Sequence, residues 1–185
     1  MSIWNLEIDI DYTEFFFLNE EDKNSFHKLT QDYFEKSILI SQEWRTLYMQ
    51  RGIPKKNTDF FEIDNSGIFA ASQNAFNVLS NFFDEKVEAL LIETDSGKFY
   101  ALNVINVIDC IDSKTSKYNS TVNGQIVSYS LIDFDLEKLG ESQIFKVPQM
   151  PYHIFISDEI YEVYETKNLR GLSFDSELNL VWYPE

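Results

Sequence analysis

Two neighbouring segments in the middle of the chain have the hydrophobic pattern of paired β-strands. Val87–Glu93 and Phe99–Val104 are both rich in β-branched, aromatic and aliphatic residues. The segment between them, Thr94–Lys98, carries the Asp, Ser and Gly residues that are typical of a hairpin loop. Because apolar residues occupy both odd and even positions of each segment, both faces should be covered. We therefore expect an antiparallel hairpin at the centre of a sheet.

The beginning of the chain alternates between apolar and polar residues, from Trp4 to Tyr12. A period of two residues predicts a half-buried strand. The even-numbered apolar residues should face the core. The odd-numbered polar residues should face solvent, and these are Asn5, Glu7, Asp9 and Asp11.

Three segments have the spacing of amphipathic helices. The first, Glu20–Phe34, places Phe26 and Leu29 on one face and begins with acidic residues, which the helix dipole favours at this end. The other two each follow a short apolar strand that ends in a serine, Ser72 or Ser157, and a serine at this position is a common helix N-cap. The order of segments predicts three helices.

The remaining segments predict further strands and loops. Residues 38–51 mix apolar residues without a firm period, and we favour a strand there. Residues 113–123 are polar and rich in turn formers, whereas 125–134 and 144–147 are typical of strands. Gly171 is a candidate helix stop, and residues 172–174 could pair with 178–183. We expect an α+β fold, mainly antiparallel sheet with about three helices, in a single domain that spans residues 1–185.

The chain is strongly acidic. Its 31 Asp and Glu residues outnumber 15 Lys and Arg residues, so the formal net charge is −16. Such a charge repels nucleic acids and anionic membranes and favours association with basic partners. Although acidic runs usually serve only to solvate a surface, we take four acidic residues near the N-terminus as candidate partner-binding residues, namely Glu14, Glu20, Glu21 and Asp22.

Cysteine usage and the N-terminal sequence favour a cytoplasmic location. The single cysteine, Cys110, cannot form an internal disulfide, and we expect it to be a small buried apolar residue. The first residues lack the basic and apolar regions of a signal peptide, and no apolar run approaches the roughly 18 residues of a membrane span. We expect a soluble protein with no membrane association.

Evidence for catalysis is weak. Asp9 with Asp11, and Asp133 with Asp135, form Asp-x-Asp pairs that could hold Mg²⁺ on one strand face, but the alternation of a solvated strand also explains them. For His27 and His153 we expect surface or packing roles, because no metal ligands stand at suitable spacing. Glycine-rich phosphate loops and nucleophile elbows do not occur in the sequence. We expect no enzyme and no cofactor.

Six short motifs follow one another in a characteristic order: Ile68–Ser72, Tyr100–Val104, Asp112–Ser116, Ile144–Lys146, Ile156–Glu159 and Gly171–Phe174. In this order and spacing the chain resembles an immunity-protein family of bacterial polymorphic toxin systems, immunity family eleven, formerly described as a domain of unknown function. The resemblance covers residues 60–175, and residues 1–60 form a variable N-terminal part. It implies a non-enzymatic cytoplasmic protein that binds and neutralises a cognate toxin domain.

Three functions therefore remain open at the level of sequence. The first is an immunity protein for a toxin domain, which the acidic charge predicts to be basic. The second is a metal-dependent hydrolase that uses the paired Asp residues. The third is an acidic adaptor that mimics nucleic acid and competes with DNA for basic proteins. The oligomeric state stays open in all three.

Overall fold

The computed structural model describes residues 2–33, 37–53, 56–124 and 126–176. The strands in these ranges are β1 Ile3–Ile8, β2 Phe15–Phe17, β3 Leu47–Arg51, β4 Phe60–Glu62, β5 Phe69–Ser72, β6 Val87–Thr94, β7 Gly97–Val104, β8 Lys117–Ser120, β9 Ile126–Leu131, β10 Ile144–Val147, β11 Met150–Ser157 and β12 Leu172–Asp175. The α-helices are α1 Glu20–Tyr33, α2 Gln73–Leu79, α3 Leu136–Leu139 and α4 Asp158–Thr166, and two short 3-10 turns follow α2.

The predicted hairpin forms the middle of a six-stranded sheet. β6 and β7 pair antiparallel along their whole length, from Val87 opposite Val104 to Thr94 opposite Gly97. The strand order is β2-β3-β6-β7-β5-β4, and only the pairing of β3 with β6 is parallel. The α+β fold with mainly antiparallel sheets is thus confirmed, as is the central position of the hairpin.

One face of this sheet is covered by α1. Phe26 of α1 is fully buried and packs with the rings of Phe17 and Trp44 over the apolar residues of β3, β6 and β7. The segment after α1 is fastened to β6 by Glu88, whose carboxylate accepts hydrogen bonds from the backbone N–H groups of Ile40 (2.8 Å) and Ser41 (3.0 Å). The helix predicted over Glu20–Phe34 is therefore confirmed for the described residues Glu20–Tyr33, and it packs on the sheet through Phe26.

The six-stranded sheet is strongly curved, so its two edge strands approach each other. Phe15 of β2 and Phe61 of β4 have ring centroids 4.5 Å apart, and both rings contact Phe99 of β7 at 5.2 and 5.1 Å. No backbone ladder joins β2 to β4 within the described residues. The two edges are therefore held together by aromatic side chains and leave a seam between their backbones.

A second sheet has the order β10-β11-β1-β12 and packs with α2 and α4 on the other face of the first sheet. β1 is flanked on both sides, and its predicted solvent face is buried at Asn5 but exposed at Glu7, so the prediction of a half-buried strand that runs to Tyr12 holds only in part. Asn5 is fully buried, and its side-chain oxygen lies 3.2 Å from Nδ1 of His153. The strand ends at Ile8, and Ile10 is 78% exposed instead of lying in the core. Alternation in the sequence could not show that β11 and its neighbours cover the polar face at Asn5.

The two predicted serine caps have different outcomes. Ser72 caps α2, because its hydroxyl oxygen accepts a hydrogen bond from the N–H of Ala75 at 3.1 Å. Ser157 makes no side-chain cap for α4, and its hydroxyl donates to the side-chain oxygen of Gln143 instead. α4 nevertheless begins where the pattern predicts, and its predicted apolar stripe is buried at Ile160 and Tyr164.

Gly171 serves a purpose other than the predicted helix stop, because α4 already ends at Thr166. Its φ of +109° is a conformation that favours glycine. A Cβ at this position would lie 2.5 Å from the carbonyl oxygen of Phe60. The glycine therefore lets the start of β12 pass close to β4.

Other predictions from the pattern are corrected in detail. Only residues 47–51 of the segment 38–51 form a strand, and residues 117–120, expected to be loop, form β8, which pairs with β9. Four α-helices are present in the described part of the chain instead of about three, because the four-residue α3 was not expected. The strand predicted over 178–183 lies outside the described residues.

Candidate functional site

Three adjoining depressions lie along the seam of the curved sheet and all include Asp64 in their walls. The first has a volume of about 600 Å³ and lies between α1, the turn after β4 and β11. The second, of about 260 Å³, lies between residues 8–16 and β4, and the third, of about 250 Å³, between β2 and the start of α1. We call these three depressions together the acidic trough.

The turn between β4 and β5 forms the centre of the acidic trough. Asp64 and Asn65 both have positive φ, and the N–H of Ser66 donates to the carbonyl of Ile63 at 3.1 Å, as in a type I′ hairpin turn. The N–H of Gly67 donates to the carboxylate of Glu62 at 2.6 Å. These hydrogen bonds fix the direction in which the turn projects toward α1.

Two side chains of α1 hold this turn in place. Nε2 of His27 lies 2.8 Å from a carboxylate oxygen of Asp64, and Nζ of Lys23 lies 3.8 Å from the same oxygen. On the opposite side, Gly67 packs against the backbone of Tyr152 in β11. The walls of the acidic trough thus come from residues 8–30, the β4–β5 turn and β11, which are far apart in the sequence.

Carboxylates dominate the charge of the acidic trough. Five of them line it, and these are Asp9, Glu14, Glu20, Glu62 and Asp64. Among its described lining residues, Lys23 is the single lysine or arginine. The region therefore attracts cationic groups, and the attraction is greatest at low ionic strength.

Large apolar side chains are exposed in the same walls. Ile10 is 78% exposed, Leu18 53%, Phe16 51% and Tyr152 44%. Exposed apolar groups beside charged ones are characteristic of protein-binding surfaces, where burial of the apolar groups supplies affinity and the charges supply orientation. The chemistry of the acidic trough therefore suits the binding of a basic macromolecule.

The four acidic residues proposed from the sequence lie in different environments. Glu14 and Glu20 are exposed and line the acidic trough. Glu21 is also exposed and forms an ion pair with Arg45 at 2.9 Å. Asp22, in contrast, is buried, and its carboxylate accepts hydrogen bonds from the side chain of Asn19 (3.0 Å) and the N–H of Tyr48 (3.2 Å). Asp22 thus fastens the start of α1 to β3.

The Asp-x-Asp pairs are engaged in local hydrogen bonds. Asp9 accepts from the N–H of Asp11 at 3.0 Å, and Asp11 pairs with Lys56 at 3.3 Å. Asp133 accepts from the N–H of Phe134 at 3.0 Å, and Asp135 caps α3. In the part of the chain that the structure describes, no three His, Cys, Asp or Glu side chains are grouped so as to hold a metal ion.

The histidines and the cysteine can also be placed. His27 and His153 both line the largest depression, although 125 residues separate them in the sequence. Burial lowers the pKa of His153, so its ring is neutral at pH 7. Cys110 is fully buried, as expected, and burial raises the pKa of its thiol to about 11, which keeps it unreactive.

Sequence reasoning missed several residues of this site. Glu62, Asp64 and Phe16 were not singled out, although Asp64–Gly67 is a recognisable turn sequence. The turn signal alone could not show that this loop meets α1 and β2.

None of the helices in the described ranges is long and apolar enough to cross a membrane.

Comparison with known proteins supports the resemblance noted in the sequence. The model of the immunity protein family Imm11 matches residues 81–177, a range that begins just before β6 and ends just after β12. A comparison with curated individual proteins gives no match. Most of the acidic trough lies before the matched range, and only its β11 wall falls within it. Since the match covers more than half of the chain, this protein belongs to the immunity protein family Imm11.

Proposed function

We propose that this protein is a bacterial immunity protein that binds a cognate toxin domain and neutralises it without any reaction of its own. Family membership is the observation that carries this proposal. The acidic trough supports it, because it combines exposed apolar groups with an excess of carboxylates. We place the complex in the cytoplasm, with the toxin domain as the direct partner and with no contact to nucleic acid or membrane.

The net charge of −16 favours a basic toxin domain. Complementary charges accelerate encounter and orient the partners, whereas apolar contacts in the centre of an interface supply most of the affinity. We assign steering to the exposed carboxylates of Glu14, Glu20 and Glu21. Asp22 acts indirectly in this proposal, because it fixes the orientation of the helix that presents Glu20 and Glu21.

The two other functions left open by the sequence have less support. A metal-dependent hydrolase needs carboxylates that converge on an ion, but Asp9, Asp11, Asp133 and Asp135 each serve a local turn, cap or ion pair. A nucleic-acid mimic needs a surface that presents charge, but the acidic trough also exposes large apolar side chains. Binding of a protein accounts for both features.

Co-expression with the product of the adjacent upstream gene tests the proposal. We expect the immunity protein to co-purify with that product and to relieve its toxicity in the host cell. Failure to form a complex, or toxicity that persists in spite of co-expression, would refute the proposal. Excess DNA should not displace the toxin domain, whereas it would displace a partner held by an adaptor that mimics nucleic acid.

Charge reversal tests the steering residues. Replacement of Glu14, Glu20 and Glu21 by Lys should slow association with the toxin domain by about tenfold or more at low salt and flatten its salt dependence. A matched control reverses three exposed glutamates elsewhere on the surface, Glu141, Glu162 and Glu165. Stopped-flow association rates that fall equally in both variants would show that only net charge matters.

A further inference from the structure

β2 is an edge strand that borders the acidic trough. It pairs with β3 on one side, and no strand of the described part of the chain pairs with its other side. Phe16 and Leu18 are both about half exposed there. An unpaired strand edge with exposed apolar side chains is a template on which another chain can add a strand.

The register of β2 shows which peptide groups are available. The carbonyl of Glu14 accepts from the N–H of Gly52 at 2.9 Å, and the N–H of Leu18 donates to the carbonyl of Tyr48 at 3.0 Å. In an antiparallel pair the residues that bond to the partner strand alternate with residues whose peptide groups point away. The peptide groups of Phe15 and Phe17 therefore point away from β3 and toward the acidic trough.

The opposite side of the trough supplies negative charge. Phe61 of β4 contacts the ring of Phe15 across the seam. Glu62 and Asp64 closely follow Phe61 in the sequence and line this side of the trough. Glu20 lines the part of the trough beside Phe17. An extended chain that lies along β2 thus meets a backbone edge on one side and carboxylates on the other.

We propose that the edge of β2 binds an extended basic segment of the partner by strand addition. The backbone of the segment pairs with the peptide groups of Phe15 and Phe17. Because side chains alternate between the two faces of a strand, its Lys or Arg residues lie on the face covered by α1, beside Glu20 and Asp64, and its apolar residues lie on the other face, beside Phe16 and Leu18. The assignment of this segment to the toxin domain rests on the proposed function. The mode of binding, strand addition to β2, does not rest on it.

A pair of substitutions at Phe17 tests the mode of binding. Phe17→Pro removes the ring and the N–H donor, whereas the matched variant Phe17→Ala removes the ring alone. The ladder to β3 does not use this N–H, and proline is tolerated on the free side of an edge strand, so both variants should fold. The probe is a seven-residue peptide of alternating Lys and Val. Its binding is followed by NMR, through shifts of the backbone amide resonances of Phe15 in every protein and of Phe17 in the wild type.

We expect the peptide to bind the wild type and Phe17→Ala with dissociation constants within about threefold of each other. It should bind Phe17→Pro about tenfold more weakly than it binds Phe17→Ala, because about one hydrogen bond between the strands is lost. A peptide of alternating Glu and Val should not bind. No binding of the Lys peptide, shifts confined to other parts of the spectrum, or equal affinity for both variants would overturn the proposal.

A second measurement uses only the wild-type protein. Two versions of the Lys–Val peptide carry N-methyl groups on alternate residues, on the odd positions in one and on the even positions in the other. Because neighbouring N–H groups of a strand point to opposite edges, strand addition predicts that one version binds and the other does not. Equal affinities would overturn the proposal. If only one N-methylated version binds but the toxin domain forms no complex, the proposed function is refuted, whereas the proposal that β2 binds a basic segment by strand addition is supported.

Discussion

Replacement of Lys146 by methionine should increase the stability of the protein at neutral and acidic pH. Lys146 lies in β10 and is fully buried. Burial lowers the pKa of its ammonium group from 10.5 to about 7, because the charged form loses its hydration. Methionine has a similar length and no charge to bury. The variant therefore removes the cost of a buried cation and keeps most of the packing.

The magnitude follows from the two pKa values. The difference between 10.5 and about 7 corresponds to an upper bound of roughly 5 kcal/mol below pH 7. The unfolded chain binds this proton up to pH 10.5, and the folded protein releases it near pH 7, so the stability of the wild type rises with pH between these values. Roughly 2 to 3 kcal/mol of the cost should disappear between pH 6 and pH 9.

Urea denaturation at pH 6 and pH 9 measures this effect. We expect the gap between Lys146→Met and the wild type to shrink as the pH rises. Lys138→Met is the matched control, because the side chain of Lys138 is 57% exposed, and its gap should stay close to zero at both pH values. The titration of His153 is common to all three proteins and cancels in the comparison. A gap for Lys146→Met that is the same at pH 6 and pH 9 would refute the reasoning.

Three further substitutions test the fold. Gly171→Ala should lower the free energy of unfolding by about 3 kcal/mol or more, because the new Cβ meets the backbone of β4. The control Gly97→Ala, also at positive φ but with open space around it, should lower it by only about 1 to 2 kcal/mol. Equal losses of stability in urea denaturation would contradict the steric argument. Glu88→Gln should cost about 1 to 3 kcal/mol at pH 7. Desolvation raises the pKa of Glu88, but the hydrogen bonds to its carboxylate outweigh this effect, so the pKa of the folded protein lies below 4.5. The greater stability of the wild type should therefore vanish as the pH falls below 4.5. A difference in stability that does not change with pH would contradict this. Ser72→Ala should lower the free energy of unfolding by about 1 to 2 kcal/mol through loss of the cap on α2, and an unchanged midpoint of thermal denaturation would contradict that role.

Elements that depend on neighbouring residues could be read from the sequence. The β6–β7 hairpin, the helix from Glu20 and the cap at Ser72 each follow from residues within one turn or one loop. Their patterns reflect local geometry, because hairpin turns and helix starts need particular residue types at fixed spacing. The prediction for β1 was wrong in part, because its period of two residues shows two faces but not what covers them.

The acidic trough depended on contacts between distant segments. Residues 9–20, the turn at 62–67 and the β11 wall at Tyr152 come together only when the six-stranded sheet curves and the β4–β5 turn reaches α1. No local pattern specifies such contacts, since each is stabilised by packing between elements that were far apart in the unfolded chain.

The sequence by itself thus determined the class of fold, the central hairpin and the family, because these depend on local periodicity and on the order of short motifs. The tertiary structure alone decided which acidic residues share a surface and that β2 has an open edge beside them. The physical reason is that sheet curvature and strand order arise from side-chain packing across the whole core, which the spacing of residues along the chain does not encode.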